Sequence, residues 1–241
     1  MPINNQVDEK IISGLKVKVL KKDIKNFHLN VLPPDGSVRV SVPKDTTDDT
    51  VHFFIASRLS WIQKKVNEFK NQPRETKREY VKGESHYFLG KRYLLDIVKD
   101  SKNYVEIEKK KYLLIHVKNT TDYELIQRTL EKYYREELKK ILEKEIPRFE
   151  KKIGVKATNY TVRKMKTKWG SCNSDSIRIN FNLYLAKKPI KSIRYVIVHE
   201  LIHLMERSHN KDFIRLMDKH MPNWRNERKA LNDLILSYEE W

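Results

Sequence analysis

Hydrophobic residues change their period once along this chain, and that change limits the fold more than any single residue does. Before about Asp122, apolar and polar residues alternate in short runs, as in Leu15-Lys16-Val17-Lys18-Val19-Leu20 and Ser37-Val38-Arg39-Val40-Ser41-Val42. Successive side chains on a strand point to opposite faces, so this alternation predicts half-buried strands, with a turn at Pro33-Pro34-Asp35-Gly36 between them. More strands are expected at 85–89 and 92–98, flanking Gly90-Lys91, and at 104–107 and 112–117. One amphipathic helix interrupts them over Val51 to Phe69, where Phe54, Ile55, Leu59, Ile62, Val66 and Phe69 recur at helical spacing behind the capping stretch Asp45 to Asp49. From Asp122 the period becomes helical, with Leu125, Leu130, Tyr133, Leu138, Ile141, Leu142 and Ile146 marking a long helix that reaches Pro147 or a little beyond. A strand over Val155 to Met165, a loop over Trp169 to Asn173, an alternating strand over Ser176 to Leu185 and a helix opened by Pro189 complete the pattern. No internal repeat is evident. The expected class is α+β, with a β-rich amino-terminal region over 1–121 and a second domain, entered through the long helix, over 122–241.

The helix opened by Pro189 carries chemistry. His199-Glu200-Leu201-Ile202-His203 is followed by Leu204-Met205-Glu206-Arg207-Ser208-His209, so three of the chain's eight histidines fall within eleven residues. Residues four apart on a helix are rotated by only about 40°, which aims His199 and His203 at one point. Two imidazoles so placed suit a zinc ion, and Glu200, about 100° round the helix, can reach a water held there without ligating the metal. Its role would be general base. Ile193, Val196, Ile197, Leu201 and Leu204 supply an apolar stripe that would seat the helix in a core. A catalytic zinc takes three protein ligands and keeps one position open. His209 is the first candidate for the third, because the chain can turn back through Arg207-Ser208; Glu227, on a later helix, is the alternative. Metzincins share the spacing but have glycine where this chain has Glu206, so their turn is not expected.

Other residues are weighed against the same chemistry. Cys172, the single cysteine, is read as a small packed residue; it excludes an internal disulfide framework and fits a reducing compartment. His28, His52, His86 and His116 are read as surface or packing residues, and His220 and Met221 as structural. The strand Ser176 to Leu185 is a candidate edge for an extended substrate, with Trp169-Gly170-Ser171-Cys172 beside it. For an oxyanion partner Tyr195, Tyr238, Arg178 and Arg225 stand as candidates with nothing to choose among them.

Charge sets the partner classes. Fifty Lys and Arg against 32 Asp and Glu give +18, a balance that favours polyanions such as nucleic acid, although the cations spread along the whole chain. No apolar run approaches the roughly 20 residues of a membrane helix, and the amino terminus lacks a signal pattern, so a soluble cytoplasmic protein is expected.

The segments Lys166 to Cys172, Ile177 to Leu185, Val196 to Asn210, Asp212-Phe213 and Met221 to Trp224 together resemble the YgjP-like metallopeptidase family of predicted metal-dependent hydrolases, most densely over Lys156 to Leu236. The resemblance implies a small zincin-like domain related to SprT-like and minimal gluzincin peptidases, its metal helix packed against a mixed sheet. It also implies one zinc ion per chain held by His199, His203 and His209, Glu200 as catalytic base, and a peptide or protein substrate. Two rivals stay open at this point: a nucleic-acid-binding protein with a structural metal, and a zinc hydrolase of non-peptide substrates.

Overall fold

The computed structural model describes residues 7–32, 35–71, 78–165 and 168–233. The chain parts into two compact units, one up to residue 73 and one from residue 74 onward.

In the first unit, strands β1 (Val7–Ile12), β2 (Leu15–Lys22), β3 (His28–Leu32) and β4 (Ser37–Pro43) form a sheet in the order β1-β2-β4-β3. The inward residues of the alternating runs, Val17, Val19, Val38 and Val40, close a core with Val51, Ile55 and Ile62. Those last three sit on two helices rather than on the one expected. Helix α1 (Asp48–Ala56), capped by the Thr47 hydroxyl, stops at Ser57, and α2 (Leu59–Asn71) restarts after it. The break lies at Ser57-Arg58, where the Ser57 hydroxyl donates to the Phe54 carbonyl and the Arg58 guanidinium to the same oxygen. Side chains that satisfy late helical carbonyls make a stop that hydrophobic spacing cannot reveal.

The second unit opens with the same construction. Strands β5 (Ser85–Phe88), β6 (Lys91–Lys99), β7 (Tyr104–Glu108) and β8 (Tyr112–Val117) run in the order β5-β6-β8-β7. As in the first sheet, the first two strands pair antiparallel, the second and fourth parallel, and the last two antiparallel. The first hairpin of each sheet turns on two residues of positive φ, Ser13-Gly14 at 51° and 78° and Leu89-Gly90 at 48° and 80°, as a two-residue turn between right-twisted strands requires. The sequence therefore holds a repeat that the reading above missed. Its traces are Asp23-x-Lys25-Asn26-Phe27 against Asp100-x-Lys102-Asn103-Tyr104, and Lys44-Asp45-Thr46-Thr47-Asp48 against Lys118-Asn119-Thr120-Thr121-Asp122. Only turns and caps kept their identities; the strands kept nothing but their alternation.

The second copy, unlike the first, continues into a long helix. Helix α3 (Tyr123–Ile153), capped by Asp122 and closed by Gly154 in a left-handed conformation at φ 85°, runs through Pro147 without stopping. Leu130, Tyr134, Leu138, Leu142 and Ile146 are buried along it and share one core with Leu95, Leu113 and Ile115 of the sheet. The compact division consequently falls at 73/74 and not at 121/122, because the β5–β8 sheet has its apolar face on α3. The remainder is a three-stranded mixed sheet, β9 (Asn159–Arg163), β10 (Gly170–Asn173) and β11 (Arg178–Asn182), followed by the 3-10 turn Leu183–Lys187 and helices α4 (Ile190–Ile202), α5 (Lys211–His220) and α6 (Trp224–Asp233). The class is α+β, β-rich in its amino-terminal half, with a histidine-bearing helix beside a mixed sheet in the carboxy-terminal half. Among the described residues no helix is long and apolar enough to cross a membrane.

Candidate metal centre

Helix α4 is buried on nearly every side, with Ile193, Ile197 and Leu201 fully inaccessible. Side chains of that size each contribute roughly 2 kcal/mol when removed from water, so the mount of the histidines is firm. Two further contacts fix its position. Arg194 donates at 2.7 Å to Glu145 of α3, an almost fully buried carboxylate that Arg194 first, and Arg148 beside it, hold below the usual range. The Leu89-Gly90 turn, through its backbone N–H groups, donates to Ala186 and Lys187 at 2.8 and 3.1 Å, just ahead of Pro189. The hairpin of the second sheet thus pins the start of the histidine helix.

At the other end His203 stands at the carboxy-terminal cap of α4, and the chain turns back through Arg207-Ser208 to bring in His209. Asn210 then caps α5 by accepting from the Asp212 and Phe213 N–H groups at 3.0 Å, which sets the direction of the turn. Glu206 serves this turn by its backbone and side chain: its carbonyl faces His203 Nδ1 at 3.0 Å, and its carboxylate accepts from Ser208 N. Its φ is not positive, so the position needs no glycine.

The result is a convergence of imidazoles. His199 Nε2 lies 3.2 Å from His203 Nε2 and 3.1 Å from His209 Nε2. Ligand nitrogens at the corners of a tetrahedron around zinc, each about 2.0–2.1 Å from the ion, are separated by about 3.3 Å, close to the two separations from His199. His203 donates its Nδ1 hydrogen to the Glu206 carbonyl, which leaves its Nε2 with a lone pair toward the common point. Phe213, itself buried, lies under all three rings with centroids 4.7 to 5.0 Å away. Burial first, and then the neighbouring histidines, push His199 down to about 3 and His209 downward as well. Neutral imidazole is the ligating form, so the donor set fits a metal of zinc's type. Glu227 is not in this group, and among the described residues no other cluster of three or more candidate ligands forms.

Glu200 is buried beside the histidines, and desolvation pushes its carboxyl up to about 8. It lies against Gly170 on β10. A Cβ there would stand 2.6 Å from Glu200 Oε1 and 2.7 Å from its Cγ, so the carboxylate occupies the space a methyl group would fill. We expect Gly170→Ala to retain the metal and the fold but to lose about 10²-fold in kcat, the scale of a roughly 1 Å misplacement of a reacting group. Metal content and steady-state kinetics on the same preparation check this; a variant with unchanged kcat would show that Glu200 tolerates displacement.

A cleft of about 730 Å3 opens over these residues, lined by β10, the Tyr195 and Val196 face of α4, Arg207, His209, and Arg228 and Leu231 of α6. The stretch expected as a loop, Trp169 to Asn173, contains strand β10, and β10 is an edge strand of its sheet. β11, the candidate edge, is central, paired on both sides. Cys172 sits half-buried on β10 with its thiol pushed up to about 11, chiefly by burial, which keeps it protonated and unreactive. Of the oxyanion candidates only Tyr195 lines the cleft; Arg225 is tied to Asp218 at 2.5 Å, and Tyr238 lies outside the described residues. His86 and His116 are packing residues, paired with Glu84 at 3.0 Å and with Asp100 and Glu106 at 3.2 Å. His28 and His52 are exposed, and His220 is buried. Arg228 escaped the sequence reading, and nothing in its local pattern marks it; the stretch containing Gly170 was expected beside the substrate, but the contact of Gly170 with Glu200 was not.

No curated protein matches the chain. Among solved structures, the metallopeptidase zymogen abylysin of Pyrococcus abyssi is similar at a TM-score of 0.35 and 17% identity, over 37% of this chain and 90% of that one. The family model described as YgjP-like, metallopeptidase domain, matches residues 25–234. With that match spanning most of its length and all three converging histidines, the chain belongs to the YgjP-like metallopeptidase family.

Proposed function

We propose that this metallohydrolase is a zinc peptidase in which His199, His203 and His209 hold the ion and Glu200 is the general base. The observation that carries the reading is the meeting of three imidazole nitrogens with a buried carboxyl in one open cleft. An ion bound there supplies a Lewis acid and makes water acidic enough to ionise near neutral pH. Glu200 takes the proton from the attacking water at its carboxylate and returns it to the departing amine, so one group serves as base and then acid. Its rise toward neutrality, caused by its burial, suits both halves of that task. β10, as an edge strand bordering the cleft, offers backbone groups to an extended peptide, which supports a peptide bond as the target over other hydrolysable groups. Structural zinc sites are closed by four ligands, whereas three converge here on a cleft, which weighs against a purely structural metal.

The test is removal and return of the metal. Chelated protein is expected to lose cleavage of a mixed set of quenched fluorescent peptides, and one equivalent of zinc per chain is expected to restore it. Cleavage indifferent to chelation, or a chain that takes up no stoichiometric zinc, would sink the proposal.

A further inference from the structure

The cleft is unevenly charged. Its lining contains three cations, Lys168, Arg207 and Arg228, and two acids, Asp175 and Glu200. Arg207 is neutralised in an ion pair with Asp175. Glu200 is buried and belongs to the proposed chemistry. Lys168 and Arg228 remain, both exposed and neither in an ion pair among the described residues. They enter from different places: Lys168 from the stretch two residues ahead of edge strand β10, Arg228 from α6. Two unneutralised cations bordering a cleft, in a chain of net charge +18, create a field that draws and orients anionic groups.

Resting on the peptidase reading above, we propose that Lys168 and Arg228 select peptides with acidic side chains near the cleaved bond. Backbone pairing along β10 would hold any extended chain, so it cannot discriminate among sequences. The two cations can. A carboxylate beside either one gains a charge-assisted hydrogen bond, whereas a lysine or arginine in the same place meets like charge. Nucleic acid is the rival polyanion; the edge strand beside the two cations favours a peptide, since a backbone ladder gives nothing to a phosphodiester chain.

The experiment uses zinc-loaded Glu200→Gln protein, so that binding is read without turnover, and fluorescein-labelled peptides of one length that differ only in carrying Glu, Gln or Lys. Anisotropy at about 0.1 M salt is expected to show the Glu peptide bound about tenfold tighter than the Gln peptide, the scale of two partly exposed charge pairs. Adding Lys168→Glu and Arg228→Glu together should reverse the order, so that the Lys peptide binds best; the milder Lys168→Gln with Arg228→Gln should erase the preference. Equal binding of the three peptides, or a preference that survives both double variants, would overturn the selection while leaving the peptidase reading intact. No binding of any peptide would overturn both. If single-stranded oligothymidylate displaces the Glu peptide at far lower concentration, and depends on the same two residues, the cations serve nucleic acid and the proposal fails.

Discussion

Glu200→Gln is expected to lower kcat for peptide hydrolysis by about 10³-fold while zinc stays at one equivalent per chain. Glutamine has nearly the volume of glutamate, so the space beside Gly170 stays filled and α4 keeps its packing. What disappears is the basic oxygen. Because the proton transfer it would make exists only in the transition state, kcat and kcat/KM should fall together, with KM little changed. Steady-state kinetics beside metal analysis by mass spectrometry checks both halves. A variant that keeps more than a tenth of wild-type kcat would move the base elsewhere, and among the described residues lining the cleft the other carboxylate is the ion-paired Asp175.

His203→Ala is the second large effect, and it acts on the metal itself. Orienting partners of metal ligands alone are worth about 10–100-fold in affinity, and a ligand removed outright should cost more than that. The purified variant is expected to hold less than a tenth of an equivalent of zinc and to be inactive at ordinary metal concentrations. His209→Ala should behave alike, although its ring is the exposed one and stands on a turn rather than a helix. Glu227→Ala should leave zinc untouched, since that residue is apart from the converging nitrogens. Zinc lost from Glu227→Ala and kept by His209→Ala would exchange the third ligand between them.

The sequence made the centre of this site legible because helical geometry is rigid over one turn: once Pro189 opens a helix, His199, Glu200 and His203 have only one relative arrangement. His209 was within reach for a related reason, as six residues suffice for a turn and no more. Arg228, and the contact of Gly170 with Glu200, were not, because they depend on how α6 and β10 meet α4, which no local period encodes. Which strand forms the edge was hidden on the same ground. Alternation along Ser176 to Leu185 identified a strand, but the identity of its neighbours is a matter of topology. The repeated sheet was hidden for a different reason, since strands tolerate any apolar residue at inward positions, and what survives between the copies is a turn, a cap and a few polar residues.

Gly170 and Glu200 occupy one volume between them, and this makes them a single unit of inheritance. Substitution of either is felt through the other: an added methyl at 170 does its harm only against a long side chain at 200. Their effects should therefore be far from additive, and in an alanine-200 background Gly170→Ala should cost almost nothing in stability. Drift at one of the two positions is closed while the other stands, so a chain that gave up its glutamate would also release the glycine thirty residues before it.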